Sequence, residues 1–281
     1  MPKRGVPGGS SPRKPAERER GFVAVAHGSS DPRAAAAIGA LVPLVARRAK
    51  ERGLSAPDLR IAYLGHAAPS VPQVMRTFGP DAQVRVLPLL LTAAYHSKTD
   101  IPRVLARVST GAQVTYGEPL GPHPLLLRAL ERRLPETARQ NPAETGVVLA
   151  AAGSSDPEAN ATIARLAARW QAAAGWFAVR PAYASATGPT PAQAVTELRI
   201  AGARRVVVAS YLLAPGLFAD RIRDASLAAG AAAVSPALLP WPPAAALLPW
   251  PPAAAGDAAP EVADVLLDRY TEAGTRERTA A

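Results

Sequence analysis

Four histidines are the residues of this 281-residue chain best suited to chemistry near neutral pH, and all fall in its first half: His27, His66, His96 and His123. A neutral imidazole can hold a divalent first-row metal ion or move a proton, since its ordinary pKa lies close to 7. The chain has no cysteine. Thiolate metal sites, disulfides and thiol nucleophiles are therefore excluded together, and histidine and carboxylate remain as the strong ligands. There is no His-Glu-x-x-His and no close His-x-His pair, so a tightly held structural zinc is not expected. An open site with two histidines suits a metal that passes through. The plainer alternative is that each imidazole is a polar cap on the end of a strand.

The elements that must position these residues are legible around them. His27, His66, His96 and His123 each follow a short apolar run, and the runs Phe22–Ala26, Leu59–Leu64, Val84–Leu91 and Gln113–Tyr116 read as strands. Helical patterns fill the spaces at Pro32–Arg52, Val71–Phe78 and Ile101–Val108, and Leu125–Arg139 closes the set. In the second half the expected strands are Val147–Ala151, Phe177–Tyr183 and Arg205–Leu213. The helices lie near Pro157–Ala174, Ala192–Ala201 and Ala219–Ala229, with a last one at Pro260–Ala273. Strands alternating with helices imply βαβ units and a parallel sheet covered on both faces. Ligands of such sheets bind at the carboxyl ends of the strands, which is where all four histidines fall.

The chain is also duplicated. VAVAHGSSDP at Val23 returns as VLAAAGSSDP at Val148, IAYLGHAAPSVPQV at Ile61 faces PAYASATGPTPAQAV at Pro181, and VRVLPLLLTAAYHSKTDI at Val84 faces VVVASYLLAPGLFADRI at Val206. The offsets are 125, 120 and 122 residues, in one order, as two homologous units with small insertions would give. Ala152, Ala186 and Phe218 stand where the first copy has His27, His66 and His96. The turn is kept and the imidazole is not, so the turn does not require it. Asp31-Pro32 and Asp156-Pro157 read as an N-cap followed by proline at the first helical position. The expected fold class is α/β, two tandem similar Rossmann-like domains with parallel sheets and a cleft between them. The expected bounds are a disordered basic tail over 1–20, a domain over 21–142 carrying the histidines, and a domain over 143–281.

The formal charge is +10, of which the first twenty residues carry +4 through six Lys/Arg and two Glu. That segment, rich in Pro, Gly and Ser, has no apolar run and lacks the apolar core of a secretory signal. The rest of the positive balance suits an acidic partner or ordinary solvated helix surface. Aromatics are 5% and scattered, which argues against nucleic acid. From Ala225 to Gly256 there is no charge, a length that could span a bilayer. Seven prolines and a tandem ALLPWPPAA (237–245 and 246–254) instead indicate an extended, polyproline-like insertion over about 236–256. Neither a nucleic acid nor a membrane is an expected partner, and a cytoplasmic protein, monomer or homodimer, is.

HGSSDP, the PS of AAPSVPQV, and LPLLLTAAYHSKTDIP, in that order, resemble the sirohydrochlorin chelatases, class II and ATP-independent, over about residues 21–235 and the last helix. The resemblance implies the chelatase-like two-domain fold with a tetrapyrrole in the cleft, and insertion of a divalent metal ion (cobalt, iron or nickel) into sirohydrochlorin with release of two protons. The metal is then a substrate, and no nucleotide is involved; no P-loop or GxGxxG is present. The family's paired metal-site histidines fall on His27 and His96, and His66 is a candidate third ligand. Lys98 and Arg33 are candidates to pair with the macrocycle's carboxylates, as are Arg221 and Arg223 from the opposite wall. The Ser29–Ser30 turn can offer backbone N–H groups to a carboxylate at the helix start, or serve only as a cap.

One departure stands out. The family commonly has glutamates in a pattern like FLE-x-A-E-PS, where this chain reads YLGHAAPS, with Gly65 and Ala68 in their places. An alternative follows: a carrier or regulator on the same scaffold that binds metal or tetrapyrrole without joining them. A serine hydrolase is disfavoured, because G-x-S-x-G is absent and Gly-Ser-Ser persists in the copy without histidine.

Overall fold

The computed structural model describes residues 20–93, 99–239 and 259–280, the last four as backbone only. The tail before Arg20, His96, Lys98 and most of the Pro/Trp repeat lie outside the described residues. Arg20, read from sequence as the end of the tail, is already the first residue of a strand.

Two four-stranded parallel sheets repeat one design. In the first half β1 (Arg20–Ala26), β2 (Leu59–Tyr63), β3 (Gln83–Pro88) and β4 (Gln113–Tyr116) lie in the order β2-β1-β3-β4. In the second, β5 (Thr145–Ala151), β6 (Ala178–Tyr183), β7 (Arg205–Tyr211) and β8 (Ala233–Val234) lie in the order β6-β5-β7-β8. The strand β8 was not foreseen; its two residues make a short outer edge. In each sheet the connections leave the first strand in opposite directions. The crevice favoured for ligands therefore opens beyond the carboxyl ends of β1 and β3, and of β5 and β7.

The apolar runs are nearly unbroken because both faces of each sheet are covered. Along β1, Phe22, Ala24 and Ala26 point into a central core while Val23 and Val25 point outward. Along β5, Val147, Leu149 and Ala151 do the first and Val148 and Ala150 the second. The helices α3 (Val71–Met75) and α4 (Ile101–Ala106) cover the outer face of the first sheet. The outer face of the second is covered by α8 (Pro191–Ile200) and α9 (Leu217–Ala228).

Asp31 and Asp156 cap the helices that follow them: their Oδ1 atoms accept from the N–H groups of Arg33 and Glu158, each at 2.9 Å. The second of these helices, α7 (Pro157–Ala174), runs unbroken to Gly175, whose left-handed φ of 67° ends it. Its counterpart divides into α1 (Pro32–Gly39) and α2 (Leu41–Glu51), where the sequence had suggested one helix. Pro43 has no N–H to offer the carbonyl of Gly39. Pro135 similarly separates α5 (Pro124–Arg133) from α6 (Glu136–Gln140).

The final helix, α10 (Pro260–Ala280), packs against α2, α5 and β3 of the first half. Its Val262, Val265, Leu266 and Leu267 are buried there. The Tyr270 ring meets Phe22 at 4.6 Å, and ion pairs join Arg48 to Asp264, Arg52 to Asp268 and Arg132 to Glu261 at 2.7–2.8 Å. Helix α5 in turn touches β7, so one continuous core runs between the two sheets. At its edge Tyr211 Oη donates to the Leu91 carbonyl at 3.1 Å. Burial pushes that phenol's pKa up, so it remains a neutral donor. No helix among the described residues is long and apolar enough to cross a membrane.

Candidate metal-handling site

The β1–β2 ladder continues past the ends of both strands, and this continuation sets two histidines side by side. Leu64 N–H donates to the Ala26 carbonyl at 3.0 Å and Gly65 N–H to the His27 carbonyl at 3.1 Å. Gly28 then turns away at φ 92°. A Cβ there would lie 1.7 Å from the Gly65 carbonyl oxygen, so the crossing requires glycine. His66 follows with a left-handed φ of 59°, a conformation in which non-glycine residues are uncommon. The two imidazole rings end 6.3 Å apart between centroids, with their planes 21° from parallel.

His27 is exposed, and its Nδ1 lies 3.2 Å from the Gly28 carbonyl oxygen. In the tautomer that carries its proton on Nδ1 this is a hydrogen bond, and Nε2 is then the nitrogen that bears the lone pair. A first-row ion sits about 2.0–2.1 Å from an imidazole nitrogen, in the plane of the ring, so His27 and His66 are neighbouring candidate ligands beyond the ends of β1 and β2. Among the described residues no three of His, Asp and Glu gather closely enough to cage a metal.

The other sequence candidates separate. His123 is an N-cap: its Nδ1 accepts from Leu125 N–H at 3.2 Å. Burial, helped by Arg269, pushes its imidazole pKa down. It faces α10 and does not join His27 and His66. Arg33, expected to receive a substrate carboxylate, is instead held by two of the protein's own. Its Nη2 donates at 2.6 Å to Asp31 Oδ2 and at 2.6 Å to Asp220 Oδ2, in the first turn of α9 across the seam between the halves. The Arg33 hydrogen bond holds both carboxyls below the ordinary aspartate range. Arg223 pairs with Asp220 and Asp224. Arg221 is exposed, and no hydrogen bond or ion pair holds it among the described residues.

The Gly-Ser-Ser turn does the same capping in both halves, and differs in one respect. Ser29 Oγ accepts from Asp31 N–H at 3.1 Å, and Ser154 Oγ from Asp156 N–H at 3.0 Å. In the second half Asn160 also clamps the turn, accepting from Ser154 N–H at 3.0 Å and donating to the Ser154 carbonyl at 2.7 Å. The first half has Ala35 at that place. The Ser29 N–H is therefore left open beside His27, and Ser30 is exposed. Sequence reasoning missed this, and it missed Asp220; the Ala35–Asn160 mismatch was the readable signal for the first.

Residues 21–137 and 146–238, most of the chain, match the sequence profile of the CbiX family. Over 179 residues the chain is 27% identical to a sirohydrochlorin ferrochelatase of Priestia megaterium, covering 62% of this chain and 67% of that one. It is 29% identical over 170 residues to a sirohydrochlorin cobaltochelatase of the same organism, covering 58% of this chain and 56% of that one. Among solved structures it is similar to SirB from Bacillus subtilis with Fe3+, with a TM-score of 0.69 at 22% identity, over 93% of this chain and 98% of that one. SirB from Bacillus subtilis subspecies spizizenii in complex with cobalt gives 0.66 at 21% identity, over 91% and 95%. The profile matches both of the duplicated halves, and the chain belongs to the CbiX family.

Proposed function

We propose that this chain is a chelatase that inserts a divalent metal ion, cobalt or iron, into sirohydrochlorin. One observation carries the reading: of two turns with matching backbone angles, only the first bears an imidazole pair. His27 and His66 lie 6.3 Å apart there, where the second half has Ala152 and Ala186. One ion needs one set of ligands. The strand order supports His96 as the further member, since the crevice falls beyond β1 and β3 and His27 and His96 are the histidines that follow those two strands.

The chemistry asks for little beyond this. The macrocycle loses two pyrrole protons as the ion exchanges water for ring nitrogens. A neutral imidazole lends its lone pair to the ion during that exchange, and one that is not a ligand takes a proton. No covalent intermediate is required. The open Ser29 N–H at the start of α1, with Ser30 and Lys98, seats peripheral carboxylates. Nickel would fit the same donors, because a two-histidine site follows the general affinity order of first-row ions and leaves the choice among them to supply.

The test follows the absorbance of sirohydrochlorin with Co2+ or Fe2+, with and without protein, against the spontaneous rate. The expected result is acceleration that His27→Ala and His96→Ala each abolish and His66→Ala reduces. A rate equal to the spontaneous one would overturn the reading, and binding of the macrocycle without insertion would make the protein a carrier.

A further inference from the structure

Seven large apolar side chains are exposed among the described residues, and their placement is uneven. Leu54 and Phe177 precede β2 and β6, Ile200 and Leu227 end the helices that lead into β7 and β8, and Val114 lies on the edge strand β4. All of these are at the amino ends of strands or on an edge, away from the ligand end of the sheets. Leu217 and Phe218 are different. They are neighbours, they open α9 directly beyond the carboxyl end of β7, and they are 60% and 40% exposed.

Their surroundings place them at the seam with the first half. A Cβ placed on Gly216, just before them, would lie 3.9 Å from the Asp31 side chain. Asp220, one turn on, binds Arg33. Arg221 shares a helix face with both, four residues from Leu217 and three from Phe218, and it has no partner among the described residues, whereas Arg33 and Arg223 are neutralised by aspartates. An apolar step beside one uncommitted cation matches a flat, apolar ring with carboxylates around its rim, and does not match a hydrophilic ligand. The repeats add that Phe218 stands at the place of His96. The second copy has an aromatic ring where the first has an imidazole.

We infer that Leu217 and Phe218 form the second half's contact with one face of an acidic tetrapyrrole, and that Arg221 takes one of its peripheral carboxylates. This rests on the chelatase reading for its ligand, while the histidines of the first half handle the ion. Substrate recognition and ion handling are thereby divided between the two copies of one fold.

The experiment uses the full chain, the double variant Leu217→Ser/Phe218→Ser, Arg221→Gln and Arg221→Lys. It measures the Kd of metal-free sirohydrochlorin by absorbance titration, KM and kcat for insertion, and Co2+ binding to the protein alone. The double variant is expected to raise Kd and KM for the macrocycle about tenfold, as losing two apolar contacts would, with kcat and Co2+ affinity within about twofold of wild type. Arg221→Gln is expected to weaken binding about threefold, less so at high salt, with Arg221→Lys restoring part of it. An unchanged melting temperature confirms that the variants fold, since the replaced side chains are exposed. Insertion by wild type with Kd and KM unchanged in the double variant overturns the inference and leaves the chelatase reading standing. Macrocycle binding that the double variant weakens, without insertion by wild type, does the reverse. No macrocycle binding by wild type overturns both.

Discussion

Arg33 and Asp220, 187 residues apart, are joined by a 2.6 Å hydrogen-bonded ion pair across the seam between the two halves, with Asp31 sharing the same guanidinium. The side chains of Arg33 and Asp220 are 35% and 31% exposed, so salt weakens the pair without abolishing it. Asp31 opposes ionisation of Asp220, and Arg33 and Arg223 favour it more strongly.

This pair gives a pH signature. The folded protein holds the Asp220 carboxyl below its ordinary value of 3.8, chiefly through the Arg33 hydrogen bond. Its contribution to stability is complete above that value and is lost as the pH falls through the lowered one. Asp220→Asn should therefore melt below wild type at pH 7, and the gap should close as the pH drops beneath 3.8. Melting curves of both proteins across pH 2.5–7 check this; a gap that persists in acid would show that the carboxylate's charge is not what matters.

The open turn of the first half predicts the outcome of a graft. Ala35→Asn places on the first copy the side chain that clamps Ser154 in the second. The new amide should accept from Ser29 N–H and donate to the Ser29 carbonyl, adding about 1 kcal/mol of stability. It should also occupy the N–H proposed for substrate, so KM for sirohydrochlorin should rise several-fold while the melting temperature rises too. A variant both more stable and fully active would show that Ser29 N–H takes no part.

Gly28→Ala and Gly153→Ala are matched substitutions with unmatched expected consequences. The added methyl meets the Gly65 carbonyl oxygen at 1.7 Å in the first case and that of Ser185 at 2.1 Å in the second. Each should cost at least about 2 kcal/mol, because backbone must move and φ is positive at both. Only Gly28→Ala displaces the peptide that carries His66, so only it should weaken Co2+ binding beyond what its stability loss explains. Isothermal titration at a temperature where both variants are folded separates the two effects.

Ending the chain at residue 259 removes α10 and uncovers the first sheet. Burial of Val262, Val265, Leu266 and Leu267 contributes about 1.5–3 kcal/mol each, a sum comparable to the whole stability of an ordinary domain. The truncated chain should fail to fold. A synthetic α10 peptide added during refolding should recover soluble protein with a native near-ultraviolet spectrum. Recovery of native protein without the peptide would contradict this packing.

The central strands were readable because burial on both faces leaves unbroken apolar runs, as in Phe22–Ala26 and Val147–Ala151; the edge strand Gln113–Tyr116 and the helix Pro157–Ala174, with its aspartate cap and glycine end, were bounded correctly. The duplication was readable because backbone-determined residues repeat: Gly28 and Gly153 both carry positive φ, as do His66 and Ala186. The prolines that divide α1 from α2 and α5 from α6 were visible, but Pro43 and Pro135 were read through rather than as breaks. What depends on one half meeting the other was not readable. Arg33 looked like a free cation because its partner is 187 positions away, and the return of α10 to the first sheet leaves no local mark. His123 looked equivalent to the other histidines by topology, and only the Leu125 N–H 3.2 Å from its ring nitrogen shows that it is a cap.

The crossing of α10 also sets an order of events during synthesis. The first sheet leaves the ribosome early, yet the helix that packs on its inner face emerges after the whole second sheet. Until then the surfaces of α2, α5 and β3 that meet α10 lack that cover, so the histidine-bearing half cannot complete its core before α10 has emerged. A nascent chain stalled before Pro260 would display that surface to chaperones.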